Sequence, residues 1–362
     1  MTPRPLLLRF AIASAVCAPL LGQTPLFTDG TAFGGSKVFS EGMNPLGNPA
    51  RYAQAPSGWY FSFVDGDQEA KDCESNLSSA ASQDPVAASN ALGNLANGPW
   101  AQRTRAYGLQ NIKKGASLAL TREECNGLVA YPDLSPSHLG SQSALGLNTS
   151  TLQGRRAVVN RLSLGGGGPL QQGSTTALGL SLRVERWSDN ELAEVYNAAG
   201  PGAPAFGSAA ADLLGGHATS ARGWNFGLDA GAVLELTQGV RLGLTADQLN
   251  EKHLWGVDLQ PQFRAGLQLD LGSSASVALE GDLNSAQRMP FAVKQQSNSA
   301  SLRYAISGSA IVILGVEQRK LGADSVTRGG ATLQIRTESL LLALGFQLGQ
   351  DRPLKSASLM VD

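Results

Sequence analysis

The chain has 362 residues, a formal net charge of −1 and only 16% charged residues, which is low for a soluble globular domain. The near-neutral charge gives no support for a basic nucleic-acid-binding surface, so we expect no nucleic-acid partner. The 43 glycines are many for a chain of this length and fit a fold with numerous tight turns.

Residues 1–23 have the features of a secretory signal peptide. Arg4 and Arg9 give a positive start, and Phe10–Leu21 is an apolar stretch of suitable length. The alternative, a lipoprotein acylated at Cys17, is weaker because a valine precedes the cysteine where a small residue is wanted. We therefore expect an exported protein.

An irregular N-terminal segment, residues 24–57, follows the signal and is rich in Gly, Asn and Pro. The first strand is predicted at Trp59–Val64. Asp65–Asn97 is polar and rich in Ala and Ser, with a short helix predicted at Pro85–Leu95 and capped by Asp84.

Two cysteines, Cys73 and Cys125, remain after cleavage of the signal. In an exported chain one possible pair favours a disulfide, which would stabilise the fold by roughly 4 kcal/mol if unstrained. The alternative is two unpaired thiols. Metal binding needs more ligands than this pair offers, and we expect no metal and no cofactor.

Strand patterns resume in the middle of the chain. Ala116–Arg122 and Gly127–Tyr131 are predicted as a hairpin whose turn holds Cys125, and Arg156–Leu164 and Thr176–Trp187 are the next candidates. Asn190–Gly216 is predicted as a long connection, with helical content around residues 206–214.

From Gly223 onward the strands become regular, and their tight connections indicate antiparallel neighbours in an up-and-down order. The predicted strands are Trp224–Leu236, Val240–Leu249, Gln260–Leu271, Ala275–Asn284, Ser297–Ile306, Ala310–Gln318, Gly329–Arg336 and Leu340–Leu348. Residues 58–349 would form the β domain, and residues 350–362 a C-terminal tail.

The alternation of side chains indicates which face of each strand meets which solvent. Apolar residues from Trp224 to Leu236 form one file, and Asp229 and Glu235 lie on the other. Strand length and the export signal favour an all-β, antiparallel transmembrane barrel of about 12–14 strands over a water-soluble sandwich. Outer-membrane lipid would then surround the wall, and assembly machinery would act during insertion.

Charged side chains on the polar files are predicted to face the lumen, because a charge on the lipid face costs about 2–4 kcal/mol at the midplane. Their mixed signs indicate salt-bridged packing rather than an ion-selective ring. The predicted lumen-facing residues are Arg183, Glu185, Asp229, Arg241, Asp247, Arg264, Asp270, Glu280 and Asp282.

Three stretches, Ala246–Leu249, Gln260–Gly266 and Gly281–Asn284, resemble the TraF-type outer-membrane barrel family, which is named after a conjugative transfer operon and related in style to FadL- and PorV-like barrels. Asn48-Pro49-Ala50 is similar to the start of those barrels, where such residues lie against or within the lumen. Gln248 stands where the family has asparagine. The resemblance implies a barrel in the outer membrane of a diderm bacterium and, more weakly, conjugation.

Other patterns that could carry chemistry have simpler interpretations. Asp65-Gly66-Asp67, with Glu69 and Asp72, could form a cation-binding loop but is better explained as a solvated loop. Gly165–Gly168 lacks the context of a phosphate-binding loop and is predicted to be a flexible turn. The three histidines, His138, His217 and His253, lie in predicted connections. Although Ser220 is close to His217 in sequence, we do not expect an enzyme.

Three functions remain open from the sequence. The first is a passive channel or transporter for small or hydrophobic solutes, in the FadL style, with a kinked wall that releases the solute sideways. The second is a barrel that scaffolds a conjugation or secretion apparatus through its long connections, Asp65–Gly115 and Asn190–Arg222. The third is a β-sandwich without a pore.

Overall fold

The structure is a computed structural model. It describes residues 38–39, 47–68, 79, 84–95, 99–171, 174, 176–195, 220–250, 252–254, 257–286, 294–321, 324–348 and 354–361.

Sixteen strands occur in these residues, and most are longer than the strands of a soluble protein. In chain order they are β1 Gly58–Gln68, β2 Pro99–Lys113, β3 Ala116–Tyr131, β4 Thr151–Pro169, β5 Ala177–Val195, β6 Ser220–Thr237, β7 Val240–Asp247, β8 Lys252–Leu254, β9 Val257–Leu259, β10 Gln262–Leu271, β11 Ala275–Asp282, β12 Gln295–Ser307, β13 Ala310–Leu321, β14 Asp324–Arg336, β15 Leu340–Leu348 and β16 Leu354–Val361.

Helices are few and short in the described residues. They are a 3-10 helix at Pro49–Ala53, α1 at Pro85–Leu95, a 3-10 helix at Pro136–His138 and α2 at Gln142–Leu145. The prediction of α1 is confirmed, and Asp84 caps it by accepting a hydrogen bond from the Val86 amide at 2.9 Å. No helix in the described part of the chain is long and apolar enough to span a membrane.

Fourteen of the strands form one closed antiparallel barrel in chain order, and β1 pairs with both β2 and β16. The hairpin β8–β9 stands apart, so β7 pairs directly with β10. Closure pairs each strand with a neighbour on both sides, which is what a bilayer demands of a β-sheet. The prediction of an all-β up-and-down barrel is confirmed, with the larger of the two expected strand numbers.

The expected C-terminal tail is wrong, because β16 lies within residues 350–362 and completes the barrel. Val361 pairs with Trp59 on one side and with Leu340 on the other. The strand was missed because Lys355, Ser356 and Ser358 leave it only a short apolar alternation.

Two other predictions near the N-terminal half are wrong. β2 is a barrel strand, although its residues were assigned to a long connection. β3 is one continuous strand rather than a hairpin, and Cys125 lies within it, opposite Thr104 and Ala157. The run of charged residues 122–124 resembled the sequence of a turn, but the neighbouring strand β4 supplies ion-pair partners for its two glutamates.

The two ends of the barrel differ. One end has the tight turns that join β2 to β3, β6 to β7 and β10 to β11. Lys114, Gly115, Gly239 and Gly272 adopt positive φ angles in those turns. The N-terminus of β1 and the C-terminus of β16 also lie at this end, and the longer connections lie at the other end. In outer-membrane barrels the short turns are periplasmic and the long connections extracellular.

The outer and inner faces of the wall are distinct. On β5 and β6 the apolar side chains Leu182 and Phe226 are 62% and 67% exposed, whereas Ser181, Arg183 and Asp229 on the alternate positions are buried. The apolar face therefore points outward, where it would contact acyl chains.

Candidate functional site

A segment of the chain crosses the interior of the barrel. We call Val38–Phe39 together with Gly47–Pro56 the lumenal segment. Its Asn48, at the start of the 3-10 helix Pro49–Ala53, accepts a hydrogen bond at Oδ1 from the Ala50 amide at 3.0 Å. The Nδ2 atom of Asn48 donates to the Val38 carbonyl at 2.7 Å and to the Ala232 carbonyl of the wall at 3.4 Å. One side chain thus joins both parts of the segment to β6.

A row of glycines lets the 3-10 helix lie directly against the wall. Gly167, Gly179 and Gly231 are neighbours in register across β4, β5 and β6. A Cβ atom at residue 167 would lie 2.2 Å from the Pro49 carbonyl oxygen, and one at residue 231 would lie 1.9 Å from Asn48 Oδ1. No side chain fits between strand and helix at these positions, so only glycine permits this contact.

The same arrangement continues along the wall beneath Val38 and Phe39. Gly243 of β7 and Gly266 of β10 are paired in register. A Cβ atom at residue 243 would lie 2.1 Å from Val38 Cγ1, and one at residue 266 would lie 3.0 Å from Phe39 Cε2. The lumenal segment is therefore seated on glycines of five strands.

Tyr52 anchors the far side of the lumenal segment. It packs in a buried cluster with Tyr60, Ile112, Ala343 and Met360, which belong to β1, β2, β15 and β16. Burial, reinforced by the Asp229 carboxylate, raises the pKa of Tyr52 to about 12, so the phenol is neutral at physiological pH. Because the segment contacts strands around most of the ring, it lies inside the barrel.

A network of buried charges includes Asp229 and Arg183, which lie close to Tyr52. Arg161 contacts Glu123 at 2.7 Å and Glu185 at 3.0 Å, and Arg183 contacts Asp229 at 2.8 Å. Glu185 also accepts a hydrogen bond from Trp187 Nε1 at 2.9 Å, and Arg161 lies over the Trp187 ring. Each guanidinium thus has a carboxylate partner, which is the condition for keeping buried charges ionised.

A second network fixes the start of the lumenal segment. Arg264 donates to Asp282 at 2.8 Å and to Ser297 at 2.5 Å, and its Nη1 atom lies 3.7 Å from Glu280. Glu280 accepts a hydrogen bond from the Val38 amide at 3.0 Å. The Glu280 carboxylate of the wall therefore holds the start of the lumenal segment in place.

The nine residues predicted to face the lumen have two kinds of environment. Seven of them are at most 8% exposed: Arg183, Glu185, Asp229, Asp247, Arg264, Glu280 and Asp282. Arg241 and Asp270 form an ion pair with each other and remain partly exposed, near the end with short turns. The sequence did not single out Glu123, Arg161 or Tyr52, since their roles depend on partners far away in the chain.

The four glycines at residues 165–168 do not form a flexible turn, as was expected, but continue β4 to Pro169. Residues 165 and 167 face inward, where a Cβ atom at residue 165 would lie 2.4 Å from the Tyr52 ring. Residues 166 and 168 face outward into open space. The run is a contact surface for the lumenal segment.

The remaining candidates do not come together. Cys73, His217, Glu69 and Asp72 lie outside the described residues, and the side chain of Cys125 is not among those described, so the disulfide stays a prediction. Asp65-Gly66-Asp67 belongs to β1 rather than to a loop. His253 lies in β8 and Ser220 begins β6. Within the described ranges no cluster of three or more His, Cys, Asp or Glu side chains could hold a metal ion.

His138 and Asp133 lie in the connection between β3 and β4, at the end with long connections. Asp133 Oδ2 contacts His138 Nδ1 at 2.6 Å and accepts from the Thr149 hydroxyl at 3.0 Å. Hydrogen bonds from Ser135 and His138 hold the pKa of Asp133 well below its usual range. This carboxylate stabilises the fold of the connection.

The outer wall has an apolar depression of about 810 Å³. Outward-facing side chains of β16 and β1–β6 line it, among them Phe61, Leu120, Leu162 and Val184. Phe63 and Tyr107 pack with ring centroids 5.4 Å apart at its margin. The depression lies on strands that also carry the glycine row, but nearer the end with long connections.

Solved hydrocarbon channels and transporters share this architecture. The barrel is similar to the CymD monoaromatic hydrocarbon channel, with a TM-score of 0.57, 12% identity, and coverage of 95% of this chain and 98% of the other. The toluene transporter TbuX of Ralstonia pickettii gives a TM-score of 0.57 at 11% identity, with coverage of 94% and 98%. The toluene transporter TodX of P. putida gives 0.52 at 13% identity, with coverage of 94% and 97%.

The chain shares the barrel fold of these channels and transporters. No protein-family model matches it, and no curated protein does. The resemblance to the TraF-type family therefore receives no support, whereas the FadL style of barrel fits.

Proposed function

We propose that this protein is an outer-membrane channel that admits small hydrophobic solutes passively, with monoaromatic hydrocarbons as the leading substrate class. The observation that carries the proposal is the lumenal segment, which is buried within the barrel and seated on glycines of the wall. A lumen occupied in this way does not offer a wide aqueous path. A hydrophobic solute does not need such a path and can still pass through the barrel.

The charges within the lumen favour the same interpretation. The two networks around Arg161 and Arg264 pair each cation with acids, so no ring of one sign faces a conducting path. Ion-selective pores depend on such rings. Paired charges instead stabilise the wall and the lumenal segment.

The apolar depression on the outer wall suggests how a hydrophobic solute leaves. A solute that passes the wall near β1–β5 would meet Phe61, Leu120 and Leu162 rather than water. Release sideways into the lipid would then need no aqueous step below the lumenal segment. The named channels and transporters of similar fold support this proposal.

Uptake of labelled toluene tests the function directly. A strain that lacks the gene is compared with the same strain that expresses the protein, at low external concentration, where diffusion through the lipopolysaccharide leaflet limits entry. The expected result is faster uptake with the protein present and unchanged uptake of a charged analogue such as benzoate. Equal toluene uptake in the two strains would reject the channel.

The scaffold alternative rests on the connections predicted at Asp65–Gly115 and Asn190–Arg222. The structure assigns parts of both to strands β1, β2, β5 and β6, and most of the remainder lies outside the described residues. The scaffold role stays a prediction, and pull-down from an outer-membrane extract would test it.

A further inference from the structure

Five arginines form a belt on the outward face of the barrel. One lies on each of five consecutive strands, β2 to β6, at the end that leads to the long connections. We call this set the arginine belt: Arg105, Arg122, Arg156, Arg186 and Arg222. Among the outward side chains described at this end of those strands, the one acid is Glu124, which contacts Arg156 at 3.1 Å and Arg122 at 3.8 Å.

The belt begins where the apolar face of the wall ends. Arg122, Asn160, Arg186 and Trp224 are successive neighbours in register across β3 to β6. On three of these strands the next outward residue toward the end with short turns is Leu120, Leu162 or Val184. Trp224 lies against Arg186, whose guanidinium carbon is 5.8 Å from the ring centroid. Aromatic residues of this kind mark the boundary between acyl chains and headgroups.

The apolar depression of about 810 Å³ opens onto the same boundary. Arg122, Asn160 and Arg186 line its polar margin, and the leucine side chains line its interior. An amphipathic ligand with a negative headgroup and apolar chains is complementary to both parts. Arginine forks bind phosphate through paired hydrogen bonds, which suits a phosphorylated headgroup.

The end of the barrel identifies the leaflet. Long connections of such barrels are extracellular, so the arginine belt meets the outer leaflet of the outer membrane. That leaflet consists of lipopolysaccharide, a glycolipid with several phosphates and several acyl chains. The five arginines are distributed over five neighbouring strands, and adjacent strands lie about 5 Å apart. Such a set matches a headgroup with more than one phosphate better than a single phosphodiester.

We propose that the arginine belt and the apolar depression bind lipopolysaccharide, with its phosphates at Arg122 and Arg186 and its acyl chains against Leu120 and Leu162. The inference rests on the outer-membrane location in the proposed function but not on the transport of any solute. A bound lipid at this place would cover the depression from which a solute would leave.

Binding to the purified, folded protein tests the inference. Native mass spectrometry is used with three probes: rough-type lipopolysaccharide, the same lipid after removal of its phosphates, and phosphatidylglycerol. The double variant Arg122→Gln/Arg186→Gln should bind lipopolysaccharide about a hundredfold more weakly, because each of the two lost charged hydrogen bonds contributes about a tenfold factor in affinity. Lys320→Gln is the matched control, an exposed outward lysine at the same end of β13, across the barrel.

Several outcomes would overturn the inference. They are equal binding by the double variant and by Lys320→Gln, no loss on removal of the phosphates, or phosphatidylglycerol binding as tightly as lipopolysaccharide. Heat-modifiable gel migration shows whether the double variant folds, and if it does not, the dephosphorylated lipid with the natural protein decides alone. Failure here with toluene uptake intact would leave the channel standing, and the reverse result would reject only the channel.

Discussion

The contact between Gly179 and Pro49 gives the sharpest test of how the lumenal segment is held. Replacing Gly179 with alanine would place a Cβ atom 2.2 Å from the Pro49 carbonyl carbon and 2.3 Å from its oxygen. Ordinary contact begins at 3.4 Å, so the segment must move by about 1.2 Å or the strand must bend. Both neighbours are backbone atoms and cannot rotate away as a flexible side chain would.

The expected cost follows from the overpacking of a fixed interface, about 1–3 kcal/mol. If that cost falls on the docked position, the equilibrium between docked and released segment shifts by about 5- to 150-fold. The amides of Ala50 and Arg51, which are bonded within the segment at 3.0 and 2.9 Å, should then exchange with deuterium faster by that factor.

Hydrogen exchange of the detergent-solubilised barrel provides the measurement, and Gly168→Ala provides the control. Gly168 lies in the next strand, faces outward and has nothing within 4 Å of its Cβ position. Both variants remove the same backbone freedom from the unfolded chain, so only the contact differs. Unchanged exchange at Ala50 and Arg51 in Gly179→Ala would refute the reasoning.

Three further predictions follow from the wall and its connections. Leu269→Arg should reduce insertion into lipid vesicles more than Gln268→Arg, since an outward charge costs about 2–4 kcal/mol at the midplane and less toward the rim, where Leu269 lies two residues before the end of β10. Equal yields would mean the faces are misassigned. Arg161→Met should lower the free energy of unfolding by about 3–5 kcal/mol, because the buried Glu123 carboxylate loses its ion-pair partner and that of Glu185 loses one of its partners. Denaturant titration with gel migration measures the change, and a loss below about 1 kcal/mol would contradict the network. The depressed pKa of Asp133 predicts that the connection at residues 132–150 is stabilised above the usual carboxylate pKa and loosens as pH falls through the folded value; Asp133→Asn should abolish that dependence in acid proteolysis by pepsin, and an identical pH profile would exclude the role.

The sequence predicted the regular half of the barrel well because side-chain alternation is a local signal. The file from Trp224 to Leu236 needs only neighbours two residues apart, and it identifies both the strand and its outer face. The same alternation separates Leu269 from Gln268, which the structure places at exposed and buried positions.

Strands whose outward face is not uniformly apolar were missed. β2 carries Arg105 beside Tyr107 and Leu109, because the strand continues beyond the acyl region into the arginine belt. β3 was divided at its charged residues, and the partner that makes Glu123 tolerable is Arg161 on another strand. Such pairing follows from register between strands, which composition does not reveal.

The candidate site depended on contacts that no short pattern contains. Gly165–Gly168 resembled a turn because glycine shows neither face of a strand. Its inward members are glycines because Pro49 and Tyr52 occupy the space that a side chain would need. A glycine at alternate positions in successive long strands is the signal that could have indicated a segment lying on the wall.

Conductance in planar bilayers tests most directly the claim that the lumenal segment closes the barrel. The natural protein is compared with a variant that lacks residues 47–57, after heat-modifiable gel migration has shown that both are folded. The account predicts no stable ion current through the natural protein and discrete conductance steps once residues 47–57 are removed. A steady open-pore current through the natural protein, unchanged by the deletion, would contradict it.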